Sequence, residues 1–178
     1  MQLSEAQKLI LMMLCDIHAH LKIKDSVDPE FVTAAIHGGH LWALKDRYPG
    51  IFDIPETPAH VVEEVEDIMW VWSRLESDFA ALSAAEKKRV LNEGKVHGDA
   101  VTFDGFDGNN EGPYLSTARF IIQHLDKYEE WKDHKMNSHS PSVESYRRML
   151  PVFKATELKG GRMSVDHMIA VLTARFPS

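Results

Sequence analysis

The sequence predicts an all-α fold, a single-domain array of about seven helices with one long central helix and no significant sheet. Apolar residues recur three and four positions apart along most of the chain, and helix-start signals precede these segments. The segment closest to a strand, DAVTF at residues 99–103, is too short and isolated to form a sheet. Because no long linker or internal repeat divides the chain, we expect one domain over residues 1–178.

The first helix is predicted over residues 3–22. Ser4 and Gln7 have the spacing of a capping box at its start. An apolar stripe follows with spacings of four, three and four, formed by Ile10, Leu14, Ile17 and Leu21. Leu11 and Met12 widen this stripe, so we expect the helix to be buried on most of its sides.

The second and third helices each begin at a proline. Asp28 and Pro29 open a helix that runs through Leu44, and Thr57 with Pro58 opens the long central one. The apolar positions of the long helix alternate four and three apart, at Val61, Val65, Ile68, Trp72, Leu75 and Phe79. A stripe with this coiled-coil spacing is longer than a small domain needs, so it is a candidate oligomer seam. It favours a homo-oligomer, most simply a dimer. Trp70 lies off the seam and either packs in the core or contacts a second chain.

Two helices are predicted in the middle of the chain. Ser83 and Glu86 form a second capping box, which opens a short helix. The next is expected to begin near Asn110, with Pro113 in its first turn, and to run to Trp131.

Two more helices complete the array. Ser140 and Pro141 open one that must kink or stop at Pro151. The last begins at Ser164 and places four apolar residues on one face, Met168, Ile169, Leu172 and Phe176.

Composition limits the classes of function. There are 27 acidic and 20 basic side chains, and the net charge of −7 makes nucleic-acid binding unfavourable, although the Lys87–Arg89 cluster keeps it as a weaker alternative. Cys15 is the only cysteine and lies in an apolar run, where we expect a buried thiol that forms no disulfide. The first apolar run is too short to span a membrane and lacks a cleavage site, so we expect a cytoplasmic protein with no membrane association.

Three phrases carry a family resemblance. They are SEAQKLIL near the start, TFDGFD with Glu111 and Tyr114 in the middle, and SYRRML at residues 145–150. The chain resembles the YfbU family of bacterial proteins over most of its length. The resemblance implies an all-helical, cytoplasmic, self-associating protein, and it brings no known activity or catalytic residues. Pro113 and a longer segment before Val101 depart from the family pattern.

The run FDGFDGNNE at residues 103–111 is the strongest candidate for a site. Counted as an EF-hand from Asp107, it reaches Ala118 at the twelfth position, where calcium binding needs a bidentate glutamate. The favoured interpretation is structural: the glycines turn the chain, Asn110 caps the next helix, and Phe103 and Phe106 are buried.

The same segment has a functional interpretation. Arg119 is expected to reach Asp107 or Glu111, which pins the loop. With Tyr114 as a hydroxyl donor, these four residues could instead bind a small anion or a metal in a hydrolase-type enzyme.

Metal ligation has little support in the sequence. His37 and His40 share a helix face but lack further ligands at a recognisable spacing, and the Glu-x-x-His pairs of di-iron bundles are absent. We therefore expect no metal and no cofactor. Four carboxylates at Glu63, Glu64, Glu66 and Asp67 are interpreted as a solvated helix face.

The favoured hypothesis is a non-enzymatic interaction or regulatory module that acts as a homo-oligomer, with any further protein partner undefined. The hydrolase built on Asp107, Glu111, Tyr114 and Arg119 is the alternative. A nucleic-acid-binding regulator is the weaker one.

Overall fold

A computed structural model of the chain describes residues 2–52, 55–155 and 161–177. Across these ranges the protein is all-α, with one isolated bridge between Phe106 and Asn137 and no strand, which confirms the predicted fold class. The chain divides into two compact units, Met1–Glu56 and Thr57–Ser178. The single domain over residues 1–178 stays a prediction, because compactness does not establish whether each unit folds alone.

In its described residues the N-terminal unit contains four helices, α1 (Glu5–Leu21), α2 (Pro29–His37), α3 (Trp42–Arg47) and α4 (Pro49–Phe52). The predicted capping box is present, since the Ser4 hydroxyl accepts from the Gln7 amide and the Gln7 side chain accepts from the Ser4 amide. Asp28 caps α2 as expected. The single helix predicted from Pro29 through Leu44 is wrong, because the chain turns at Gly38 and Gly39, where Gly39 has a φ of +70°.

Helix α1 is largely exposed, contrary to the prediction that it is buried on most sides. Cys15 is its one fully buried residue, in a small core with Val32, Ala35 and Leu44. Six large apolar side chains of α1 are each more than half exposed: Leu9, Ile10, Met13, Leu14, Ile17 and Leu21. The prediction failed because α1 is apolar around most of its circumference, and only the side with Cys15 packs within its unit.

The C-terminal unit contains helices α5 (Ala59–Ala80), α6 (Ala84–Glu93), α7 (Gly112–His124), α8 (Val143–Lys154) and α9 (Val165–Thr173), and a short 3₁₀ helix at Glu129–Trp131. The capping box at Ser83 is confirmed, and so is the start of the last helix at Ser164, whose side chain caps it. Helix α7 was predicted to run to Trp131, but it ends at His124. Helix α8 begins at Val143, later than expected, and continues through Pro151.

The candidate oligomer seam is the core of the C-terminal unit. All six of its side chains are at most 6% exposed, and α5 packs against α7 and α8. A second chain therefore cannot reach the seam in the folded unit, and its assignment as an interface is wrong. Trp70, off the seam, is half exposed, with the Arg74 guanidinium over its ring.

Candidate functional site

The loop that precedes α7 is anchored by two buried aromatic residues. Phe103 and Phe106 are fully buried, as the structural interpretation expects. The Phe103 ring stacks on Trp72 at 5.7 Å and lies 4.9 Å from the ring of Trp131. Tyr146 closes the cluster and donates a hydrogen bond to the Gly105 carbonyl at 3.0 Å. The loop is therefore part of the core of the C-terminal unit.

Gly105 lies where no side chain fits. Its φ is +82°, and a β-carbon there would lie 2.0 Å from the Met136 carbonyl oxygen. The close approach allows the Phe106 amide to donate to Met136 and the Phe106 carbonyl to accept from Ser138. The glycine thus joins the loop to residues 136–138.

Glu111 makes four hydrogen bonds inside the protein. Its carboxylate accepts from the backbone amides of Ser142 and Val143, each at 2.8 Å, and from the Ser142 hydroxyl at 2.8 Å. It also accepts from the Asp107 amide at 2.9 Å. Since α8 begins at Val143, this carboxylate caps the start of α8 from the start of α7.

Asp107 is buried and also bonded locally. It accepts from the Asn109 amide and from the Asn110 side chain, and these bonds hold the pKa of its carboxyl below the ordinary value. Asn110 was predicted to cap α7, but its side chain is used by Asp107. The N-cap position of α7 is Glu111, and no side chain there accepts from the first turn.

The predicted polar cluster of Asp107, Glu111, Tyr114 and Arg119 is not assembled. Tyr114 donates to Glu64 at 2.6 Å, away from Glu111. Arg119 is exposed and has no ion pair or hydrogen bond among the described residues, so the expected pairing with Asp107 or Glu111 is wrong. Both carboxylates have nearer donors within their own loop and at the start of α8.

Glu64, Tyr114 and Arg147 form a network that links α5, α7 and α8. The Arg147 guanidinium donates to Glu64 at 2.5 and 2.8 Å and to the Tyr114 hydroxyl at 2.9 Å. The hydrogen bond from Arg147 lowers the pKa of Glu64, and burial raises the pKa of Tyr114. Glu64 is thus not part of a freely solvated face, as the sequence had suggested.

A further carboxylate, Glu76, was missed by sequence reasoning. It accepts from the Phe103 amide at 2.6 Å and from the Trp131 indole at 2.8 Å. Its partners are 27 and 55 positions away in the chain, so no local spacing reveals them. The carboxylates of Glu66 and Asp67, close to Glu64 in the sequence, form exposed ion pairs with Lys127 and Lys154, respectively.

The remaining candidates do not form a recognisable site. His37 and His40 are both exposed, and among the described residues no three His, Cys, Asp or Glu side chains converge to hold a metal. In the basic cluster, Lys87 lies over the Phe79 ring, and Arg89 pairs with Glu93 and Asp166.

The N-terminal unit presents a different kind of surface, which we call the α1 face. It consists of the six exposed apolar side chains of α1, Leu9, Ile10, Met13, Leu14, Ile17 and Leu21. An apolar groove of about 310 Å³ adjoins it, bordered by Leu14, Val32, Tyr48 and Phe52. His18 also borders the groove, and its buried Nε2 has no hydrogen-bond partner in the described part of the chain. Within that part, no helix has the length and apolarity needed to span a membrane.

The fold and these contacts define an all-helical protein of two compact units, with its acidic motif bonded internally and an open apolar helix face. The YfbU domain matches residues 1–174, and the chain belongs to the YfbU family. It is similar to the UPF0304 protein MJECS11 of Methanocaldococcus jannaschii, with 30% identity over 77 residues. That match covers 40% of this chain and 46% of the relative, so the chain spans about half the length of the relative.

Proposed function

We propose that the protein is a non-enzymatic interaction or regulatory module of the cytoplasm that acts as a homo-oligomer. The observation that carries this proposal is the α1 face, a continuous apolar surface on an otherwise acidic chain. Monomeric soluble proteins seldom expose contiguous apolar patches larger than about 300–600 Å². A surface of this kind is typical of a protein interface.

The size of the α1 face supports a protein partner. Its six side chains are each 53–63% exposed, which amounts to about 700 Å² of accessible surface. Each partner in a standard interface buries roughly 800 Å². A second copy brings an identical apolar surface, so self-association covers both faces at once.

The internal bonding of the acidic loop supports a role without catalysis. A catalytic carboxylate must reach a substrate, whereas the oxygens of Glu111 accept from four donors of the protein itself. The Tyr114 hydroxyl is likewise held between Glu64 and Arg147. We therefore favour binding over hydrolysis as the activity of this protein.

Sedimentation of the purified protein over a wide range of concentrations tests the proposal. We expect a dimer that dissociates on dilution, because burial of an apolar face drives the association. The variant Phe120→Lys is the matched control, since Phe120 is as exposed as the α1 residues but lies on α7, and it should leave the dimer unchanged. A wild-type protein that sediments as a monomer at every concentration would refute the proposed oligomer.

A further inference from the structure

We propose that two copies of the chain pair through antiparallel α1 helices, with Ile10 of one copy opposite Leu14 of the other. This inference rests on the proposed homo-oligomer and specifies its interface. The α1 face includes a stripe with coiled-coil spacings of four, three and four, at Ile10, Leu14, Ile17 and Leu21. The four stripe residues are each more than half exposed, and the buried Cys15 is not one of them, so this stripe is open to a partner.

The pairing fits the length of the helix. Helix α1 has 17 residues, which corresponds to about 25 Å, and the apolar stripe occupies its last 12 positions. In this register Gln7, the one polar residue of the seam, meets Ile17 of the second copy. Leu3 precedes the helix, so Leu21 extends past the start of α1 in the second copy. Three of the four stripe residues, Ile10, Ile17 and Leu21, do not border the adjoining groove, which favours a helix as the occupant of the stripe over a small apolar molecule.

The helix dipole of α1 favours the antiparallel orientation. Antiparallel pairing places the positive N-terminal end of each helix beside the negative C-terminal end of the other, whereas parallel pairing places like ends together. Glu5 in the first turn already forms an ion pair with Lys8 at 2.8 Å, so the side-chain charges of that turn balance. The resulting two-fold interface is closed, so it produces a dimer that stops growing.

Single-cysteine cross-linking tests the orientation. In a Cys15→Ala background, Met13→Cys and Leu21→Cys each leave one thiol on the α1 face. Met13 lies beside the two-fold axis, so a short bis-maleimide should join two copies of Met13→Cys. The two Leu21 positions lie about 27 Å apart along the antiparallel pair, so Leu21→Cys should not cross-link to itself. A mixture of Gln7→Cys and Ile17→Cys should form the mixed cross-link, because these positions face each other only in the antiparallel pair.

Efficient self-cross-linking of Leu21→Cys would indicate parallel helices and would overturn the inference. Absence of cross-linking at Met13→Cys in a protein that sediments as a dimer would overturn it as well, while the homo-oligomer itself would stand. A wild-type protein that is monomeric would refute both the pairing through α1 and the homo-oligomer.

A charge on the seam provides an independent test. Ile17→Lys places an ammonium group within the paired stripe, and we expect the dimer dissociation constant to rise at least a hundredfold. Phe120→Lys is the matched control and should leave the constant unchanged. Circular dichroism of both variants checks that helix content is retained. A dimer that survives Ile17→Lys with unaltered affinity would contradict pairing through α1.

Discussion

The two units contain the same four-three spacing of apolar residues, but it is buried in one unit and exposed in the other. In the C-terminal unit the four-three stripe of α5 is the centre of a core of 26 described residues, whereas the N-terminal unit has a core of four. The stripe of α1 remains at the surface. Among the described residues of the N-terminal unit, this small core covers only one side of α1.

The difference lies in what surrounds each stripe. Helix α5 contacts α7 and α8, and the loop at Phe103 and Phe106 adds an aromatic cluster around Trp72. The N-terminal unit offers α1 only its short neighbours, and of these α2 makes the principal contact. A periodic apolar pattern thus identifies a face that must be covered, and it does not identify what covers it.

The largest expected effect compares one isoleucine from each stripe. Ile68→Ala on α5 should lower the free energy of unfolding by about 3–4 kcal/mol, because it leaves a cavity at a residue that is 1% exposed. Ile17→Ala on α1 should change the free energy of unfolding of the dilute monomer by less than about 0.5 kcal/mol. Urea denaturation at low protein concentration measures both. Equal losses at the two positions would show that the α1 face is buried within the chain.

A smaller effect is expected when Glu111 is removed. Glu111→Ala leaves three backbone amides without their acceptor, so we expect a loss of about 3 kcal/mol in the free energy of unfolding. Glu129→Ala is the control, because that carboxylate is 69% exposed and makes only a loose ion pair with Lys132. It should cost less than about 0.5 kcal/mol. A Glu111→Ala protein as stable as wild type would contradict the capping role of this carboxylate.

The smallest effect concerns pH. The pKa of Glu64 is lower in the folded protein than its ordinary value of 4.5, chiefly because of the hydrogen bond from Arg147. The ionised carboxylate therefore stabilises the fold above pH 4.5, and this contribution is lost as the pH falls through the folded pKa. The gap in unfolding free energy between wild type and Glu64→Gln should be widest near neutrality and should narrow in acid. A gap that grows as the pH falls would contradict the lowered pKa of Glu64 in the folded protein.

Sequence reasoning succeeded where the determinants are local. The caps at Ser4, Ser83 and Ser164 each bond to an amide three positions away, so a short window of sequence contains the whole interaction. The break at Gly39 is also local, but the apolar period continued across it and hid the turn.

The polar network was beyond the reach of local patterns. Glu111 bonds to residues 31 and 32 positions away, and Glu64 bonds to Arg147 at a separation of 83. The sequence singled out Glu111 correctly as an unusual residue but paired it with Arg119, the nearest cation on the same helix. In the fold, the backbone amides at the start of α8 take that place.

Glu111 has a consequence for the motions of the C-terminal unit. One side chain at the beginning of α7 secures the beginning of α8, so neither helix can fray at that end without releasing the other. The amides of Asp107, Ser142 and Val143 should therefore open together and show the same protection against hydrogen exchange, although they belong to separate segments of the chain.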